Sequence, residues 1–265
     1  MWFKTAVEYT RLTGAVVAAS IRAAAEYRAS FLIQVFGMII NNFGWIVLWG
    51  IFFARFPEIN GWQFSDTVVL FALATLANGL VLFPKGLVKL SDTISEGGLD
   101  SYLSVPRSPL WYAIFSRIEI SALGEFLTTA IILVLFTHLT VTQLVLFILT
   151  GFIAGLSIFN FLVIVHSVSF WVGNFREGAD ALYNGLLGFM LYPQTAFSGG
   201  LKLVMFTILP AFFIATVPVN VIQNYDYAGL AVVTAFGAGS TLAAWLVWRA
   251  GLRRYESGNL INIQG

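Results

Sequence analysis

The chain has 265 residues and a formal net charge of +1, which gives no electrostatic case for binding nucleic acid. It is 58% hydrophobic and only 10% charged, where a soluble domain carries roughly 25% charged residues. Cysteine is absent and histidine occurs only at His138 and His166, which excludes disulfides, thiolate metal sites and cysteine nucleophiles and makes a dedicated metal centre unexpected.

Residues 1–29 are predicted to form an amphipathic helix lying in a membrane interface. Lys4, Glu8, Arg11, Arg22 and Glu26 recur at helical spacing and share one narrow stripe, with Trp2, Ala6, Val17 and Ala24 opposite. Lys4/Glu8 and Arg22/Glu26 are pairs one helical turn apart. The plainer reading, a solvated helix capping a soluble core, lacks a core to cap.

Apolar runs follow that are long enough for a bilayer core of roughly 30 Å, which takes about 20 helical residues. They cover 30–54, 66–83, 110–137, 143–172, 181–197 and 228–248, giving six expected spans. The first starts too late and runs too long for a cleavable leader, so it is expected to remain as a signal anchor. Another apolar stretch, 203–221, is broken by Pro210 and Pro218. The surrounding region, 199–227, is read as short re-entrant helices, because broken backbone is tolerated at membrane depth only where protein or water covers it. The fold class is therefore an all-α integral membrane protein in a single domain, 1–265.

Orientation follows from lysine and arginine. With six spans, 12 of the 14 basic residues fall on the side that holds both termini, leaving Arg55 and Lys202 opposite. Both termini are thus expected in the cytoplasm, and 199–227 on the periplasmic side.

The longest polar segment is the cytoplasmic loop 84–109, PKGLVKLSDTISEGGLDSYLSVPRSP. Gly97-Gly98 ends one short helix, and Leu99 to Ser104 can form another with Leu99, Tyr102 and Leu103 on one side. Val105-Pro106 and Ser108-Pro109 force extended backbone before the third span. Exposed Leu and Tyr on a short helix read as a docking surface; a plain connector packed on its own bundle reads equally well.

Polar groups inside the apolar runs are the other candidates. Asn41 and Asn42 fall in the first span, Glu119 and Glu125 in the third, and His166 in the fourth. Glu119, Glu125 and His166 suit either a proton relay or substrate contacts, or else structural hydrogen bonds, with Glu119 paired to Arg117 near the headgroups; Asn41 and Asn42 either glue helices together or line a cavity. Gly151 and Gly155 are spaced for close helix packing.

The stretch ISEGGLDSYLSVPRSPL resembles the cytoplasmic signature of ABC type-two export permeases, and in particular a bacterial branch of about 260 residues carrying I-x-x-G-x-L-D-x-Y-L-x-x-P. Ile94, Gly97 or Gly98, Leu99, Asp100, Tyr102, Leu103 and Pro106 match in place. The order of parts matches along the chain, from the interfacial helix to a tail like GLRRYESGN; Ser104-Val105 departs from a longer apolar or basic residue common in the family.

The resemblance implies a permease in the bacterial inner membrane, paired with a second permease subunit, identical or paralogous, and with two separate ATP-binding subunits. The coupling helix would come from Ile94, Gly98, Leu99, Asp100, Tyr102, Leu103 and Pro106. ATP and magnesium would sit on the partner, with no cofactor on this chain. The chain contains no G-x-x-x-x-G-K-[ST] phosphate loop, so it is not expected to be an enzyme by itself. Few charges line its apolar runs, which favours an amphipathic or hydrophobic substrate; outward movement is what the resemblance implies. The competing readings are a proton-coupled carrier or channel using Glu125 and His166, and a membrane scaffold without transport.

Overall fold

The computed structural model of the chain describes residues 2–104, 108–192 and 197–255, with the backbone alone for residues 2–10 and Leu12. All regular structure among them is helical. In chain order the helices are α1 (Trp2–Glu26), α2 (Arg28–Arg55), α3 (Phe64–Leu82), α4 (Leu90–Ser95), α5 (Asp100–Leu103), α6 (Pro109–Phe115), α7 (Leu123–Phe136), α8 (Val141–Ser167), α9 (Ser169–Val172), α10 (Arg176–Met190), α11 (Gly199–Thr207), α12 (Val217–Asn224) and α13 (Tyr227–Leu252).

Local sequence explains the main boundaries. Tyr27 alone, at φ −101° and ψ 43°, separates α1 from α2. Asn60 and Gly61 both take positive φ, 48° and 85°, and Ile59 and Trp62 exchange two backbone hydrogen bonds of 2.9 Å around them. This is the Asn-Gly turn whose mirror-image backbone reverses a chain tightly. Helix α8 opens with a reciprocal cap: the Thr140 amide donates to Gln143 Oε1 at 3.0 Å and the Gln143 amide to Thr140 Oγ1 at 3.3 Å. Asp226 caps α13 by accepting from the Gly229 amide at 3.0 Å.

Helix α3 is central and packs against α8, α7 and α2. It meets α8 at the spaced glycines: a Cβ on Gly151 would lie 2.5 Å from Leu76 Cδ2, and one on Gly155 2.7 Å from Leu80 Cδ1. Small residues thus set the close approach, as the spacing predicts. Helix α13 lies along α8, where Asn160 Nδ2 donates to Ser240 Oγ at 3.0 Å and to Thr241 Oγ1 at 2.9 Å. Helices α2 and α13 leave large side chains such as Ile33, Phe36, Ile51 and Leu242 exposed; so broad an apolar exterior belongs in lipid or against another chain.

Four described helical segments are long and apolar enough to cross a membrane: α2, α3, α8 with α9, and α13. A fifth exists if α11 and the segment Phe212–Asn224 form one span, bent by 72°. The bend falls at Pro210, where the sequence places a break. Pro218 then offers no amide to the Ile214 carbonyl, and the turn just before it, Phe212–Thr216, is widened to a π-helix. Ala211, Ile214, Val221 and Ile222 are fully buried here, so protein covers the broken backbone.

Two expected spans differ. The run 110–137 is not one helix: α6 ends at Phe115, and helix resumes only with the 3-10 turn Ile120–Ala122 that leads into α7. The interruption is held by the segment after α3. The Glu119 amide donates to the Phe83 carbonyl at 2.9 Å and the Gly86 amide to the Ile114 carbonyl at 3.1 Å, with a bridge between Pro84 and Ile118. The run 181–197 also shifts: α10 has 15 residues, about 22 Å of helix, and starts earlier on exposed Arg176 and Glu177. Residues 193–196 lie outside the described residues. In α1, Arg11, Arg22 and Glu26 are exposed, while Val17 and Ala24 are half-buried.

Candidate functional site

Residues 84–104 of the loop do not form a slack connector. Leu87, Leu90, Ile94 and Leu99 form a helical stripe that is almost wholly buried, and α4 packs onto α8, α9 and α10. Beneath the stripe, Ser91 Oγ is hydrogen-bonded to His166 Nδ1 at 2.8 Å. At its edge Arg176 Nη1 donates to Asp92 Oδ2 at 2.9 Å. The glycine in the left-handed region after α4 is Gly97, at φ 76°, rather than Gly98.

This placement corrects the expectation that Leu99, Tyr102 and Leu103 share one exposed face. Leu99 has no exposed surface, because it continues the buried stripe. Tyr102 is half-buried and stacks on Tyr112, with centroids 6.0 Å apart and planes 10° from parallel. Leu103 is 44% exposed and is the motif's outward apolar side chain among the described residues. Pro106 lies outside them. Beside α5 a cleft of about 480 Å³ opens toward α6, lined by Lys89, Asp92, Glu96, Tyr102 and Arg117.

Tyr255 brings the segment after α13 against α5. Tyr255, just past α13, donates its hydroxyl to Asp100 Oδ1 at 2.9 Å, and its ring meets Phe170 edge-on at 6.2 Å. Partial burial, with the adjacent Asp100 carboxylate, pushes the Tyr255 hydroxyl up to about 12. A raised tyrosine pKa means that folding favours the neutral form. The contact therefore stabilises below the ordinary value of 10.0, and its contribution is lost as pH rises through about 12. Tyr255→Phe is expected to cost about 1 kcal/mol and to remove one late-ionising tyrosine from an ultraviolet pH titration. An unchanged titration curve would place that proton elsewhere.

The intramembrane candidates separate into distinct groups. Glu125, 6% exposed in the first turn of α7, accepts from Asn42 Nδ2 at 2.8 Å and from Asn78 Nδ2 at 3.2 Å. The Tyr183 hydroxyl donates to Asn78 Oδ1. One network thus ties α7 to α2, α3 and α10. Gly79 permits it, since a Cβ there would sit 2.9 Å from Glu125 Cβ. Asn41, Asn42, Trp45, Asn78 and Glu125 line a cavity of about 150 Å³. Glu119 lies in the interruption before α7 and pairs with Lys85 rather than Arg117, while Ser121 Oγ donates to it at 2.7 Å. His166 is fully buried under the loop. It shares no hydrogen-bond partner with Glu125 among the described residues, and its Nε2 has none there.

Sequence reasoning missed Asn78, Tyr183, Ser91 and Tyr255. Asn78 had a signal, a lone amide in an apolar run; the others show their role only through contacts distant in sequence. No group of acidic or histidine side chains suited to a metal ion occurs among the described residues.

A family model described as "ABC-2 family transporter protein" matches residues 39–258, which take in both the loop and the Glu125 network. No curated protein and no solved structure matches the chain.

Proposed function

The chain belongs to the ABC-2 family of transporter proteins, and from that premise we propose that it is the permease subunit of an ATP-driven exporter. It lines the pathway with a second permease, identical or paralogous, in a bacterial inner membrane. Separate ATP-binding subunits carry ATP and magnesium and dock on the cytoplasmic side. The substrate is amphipathic or hydrophobic. Six passages, with both termini cytoplasmic, put Leu103 and the 12 basic residues on the docking side.

The observation that supports this reading best is the construction of the loop. A buried stripe, an ion pair and the Tyr255 contact fix α4 and α5 to the bundle, and Leu103 is left outward. A knob held in this way passes a push from a docked subunit to α8, α10 and α13 instead of absorbing it. The chain lacks cysteine, so single cysteines report on position directly. Leu103→Cys is expected to crosslink to an ATP-binding subunit in native membranes, and Asn60→Cys to label only from the opposite side. Labelling of both positions from one side, with no crosslink, would contradict the proposal.

A further inference from the structure

The cavity beside Glu125 holds an acidic side chain and no basic one. Its polar lining comprises one carboxylate and the amides of Asn41, Asn42 and Asn78, along with Thr75, and it includes no lysine, arginine or histidine. Elsewhere the chain supplies its own cations: Glu119 has Lys85, and Asp92 has Arg176. No basic side chain among the described residues pairs with Glu125.

The hydrogen bonds to that carboxylate favour its negative form. Both of its oxygens accept amide N–H groups. The Tyr183 hydroxyl bonds to Asn78 Oδ1, which turns the Asn78 amide nitrogen toward Glu125. The carboxylate also stands in the first turn of α7, at the positive end of the helix dipole. A carboxylate withdrawn from water keeps its charge only with a partner of opposite charge. The rest of the cavity suits an organic cation: the Trp45 ring offers an aromatic surface, and Phe71, Leu187, Met190 and Leu191 form an apolar wall. A volume of about 150 Å³ accommodates a headgroup but not a whole drug-sized ligand, which takes roughly 300 Å³ or more.

We propose that this cavity binds the ammonium headgroup of a cationic amphiphile, with Glu125 as its counterion; this rests on the exporter reading and names the substrate class for it. Asn42 and Asn78 hold the carboxylate in position, Trp45 contacts the headgroup, and the alkyl chain runs along the α10 wall.

The test uses the intact complex in lipid nanodiscs and three labelled probes with the same alkyl chain, dodecyltrimethylammonium, dodecyl sulfate and dodecanol, below their micellar concentrations. Saturable binding is expected for the ammonium probe alone. Glu125→Gln is expected to weaken it at least about tenfold. Asn41→Lys, at the exposed rim of the cavity, is expected to block it by placing a tethered ammonium in the site, and this decides the matter if Glu125→Gln does not fold. Equal binding of all three probes, or unchanged ammonium binding in the folded variants, would overturn the proposal. ATP hydrolysis by the same preparation reports on the exporter reading separately, because the absence of an attached ATPase would sink that reading without altering the binding result.

Discussion

Gly86→Ala is expected to lower the melting temperature of the purified chain sharply and to reduce its yield from membranes. A Cβ at this position would lie 2.0 Å from the Ala113 carbonyl oxygen and 2.5 Å from that of Ile114. Both are backbone atoms, so no side chain can swing aside. The Gly86 amide also donates to the Ile114 carbonyl, and the clash would break that bond as well. Overpacking costs about 1–3 kcal/mol where side chains can adjust, and more where backbone must move, out of a total stability of about 5–15 kcal/mol. Position 86 is also where the end of α3, the start of the loop and the end of α6 meet, so the variant should disturb the loop before the spans. Gly44→Ala is the control, since a Cβ there meets nothing within 4 Å. Equal melting of the two variants would show that the pairing of 83–86 with 114–119 does not hold the interruption together.

Leu103→Ala and Leu99→Ala are expected to fail in different ways although the two leucines belong to one motif. Leu99 is fully buried in the chain's own core, and its truncation should cost about 2–5 kcal/mol of stability. Leu103 is 44% exposed, so its truncation should leave melting unchanged. Its effect should fall on the partner: an apolar anchor at an interface is worth about 1–4 kcal/mol, and 1.4 kcal/mol is about tenfold in affinity. The expected result for Leu103→Ala is therefore a roughly tenfold weaker hold on the ATP-binding subunits, or ATP hydrolysis that no longer drives export. Tyr102→Phe should behave as wild type, because the ring that stacks on Tyr112 is retained. Wild-type assembly and export in Leu103→Ala would make the loop a connector only.

The helices that hydropathy marks out are those that are apolar without interruption. Residues 30–54, 66–83, 143–172 and 228–248 correspond closely to α2, α3, α8 with α9, and α13, and Pro210 marks a break in the backbone by its own chemistry. The interruption at 116–119 carries no proline or glycine. It exists because the 83–86 segment offers backbone partners, which is a tertiary fact. Leu99 is misplaced for a related reason: the glycine pair suggests a fresh helix with Leu99 on its exposed side, whereas the stripe Leu87, Leu90, Ile94 and Leu99 carries the buried face past it. Asn42 and Glu125 each stand out as polar residues in apolar runs. Their union through Asn78 and Tyr183 depends on helix packing across the bundle, which the spacing of residues along the chain does not encode.

Purification of the affinity-tagged chain from its native membrane, followed by identification of what accompanies it and an ATPase assay, tests the central claim most directly. The account predicts that a separate ATP-binding subunit co-purifies, that the preparation hydrolyses ATP in a vanadate-sensitive way, and that Leu103→Ala weakens the association. A chain that purifies without any ATP-binding partner, and whose transport in intact vesicles is abolished by an ionophore but indifferent to vanadate, would contradict it.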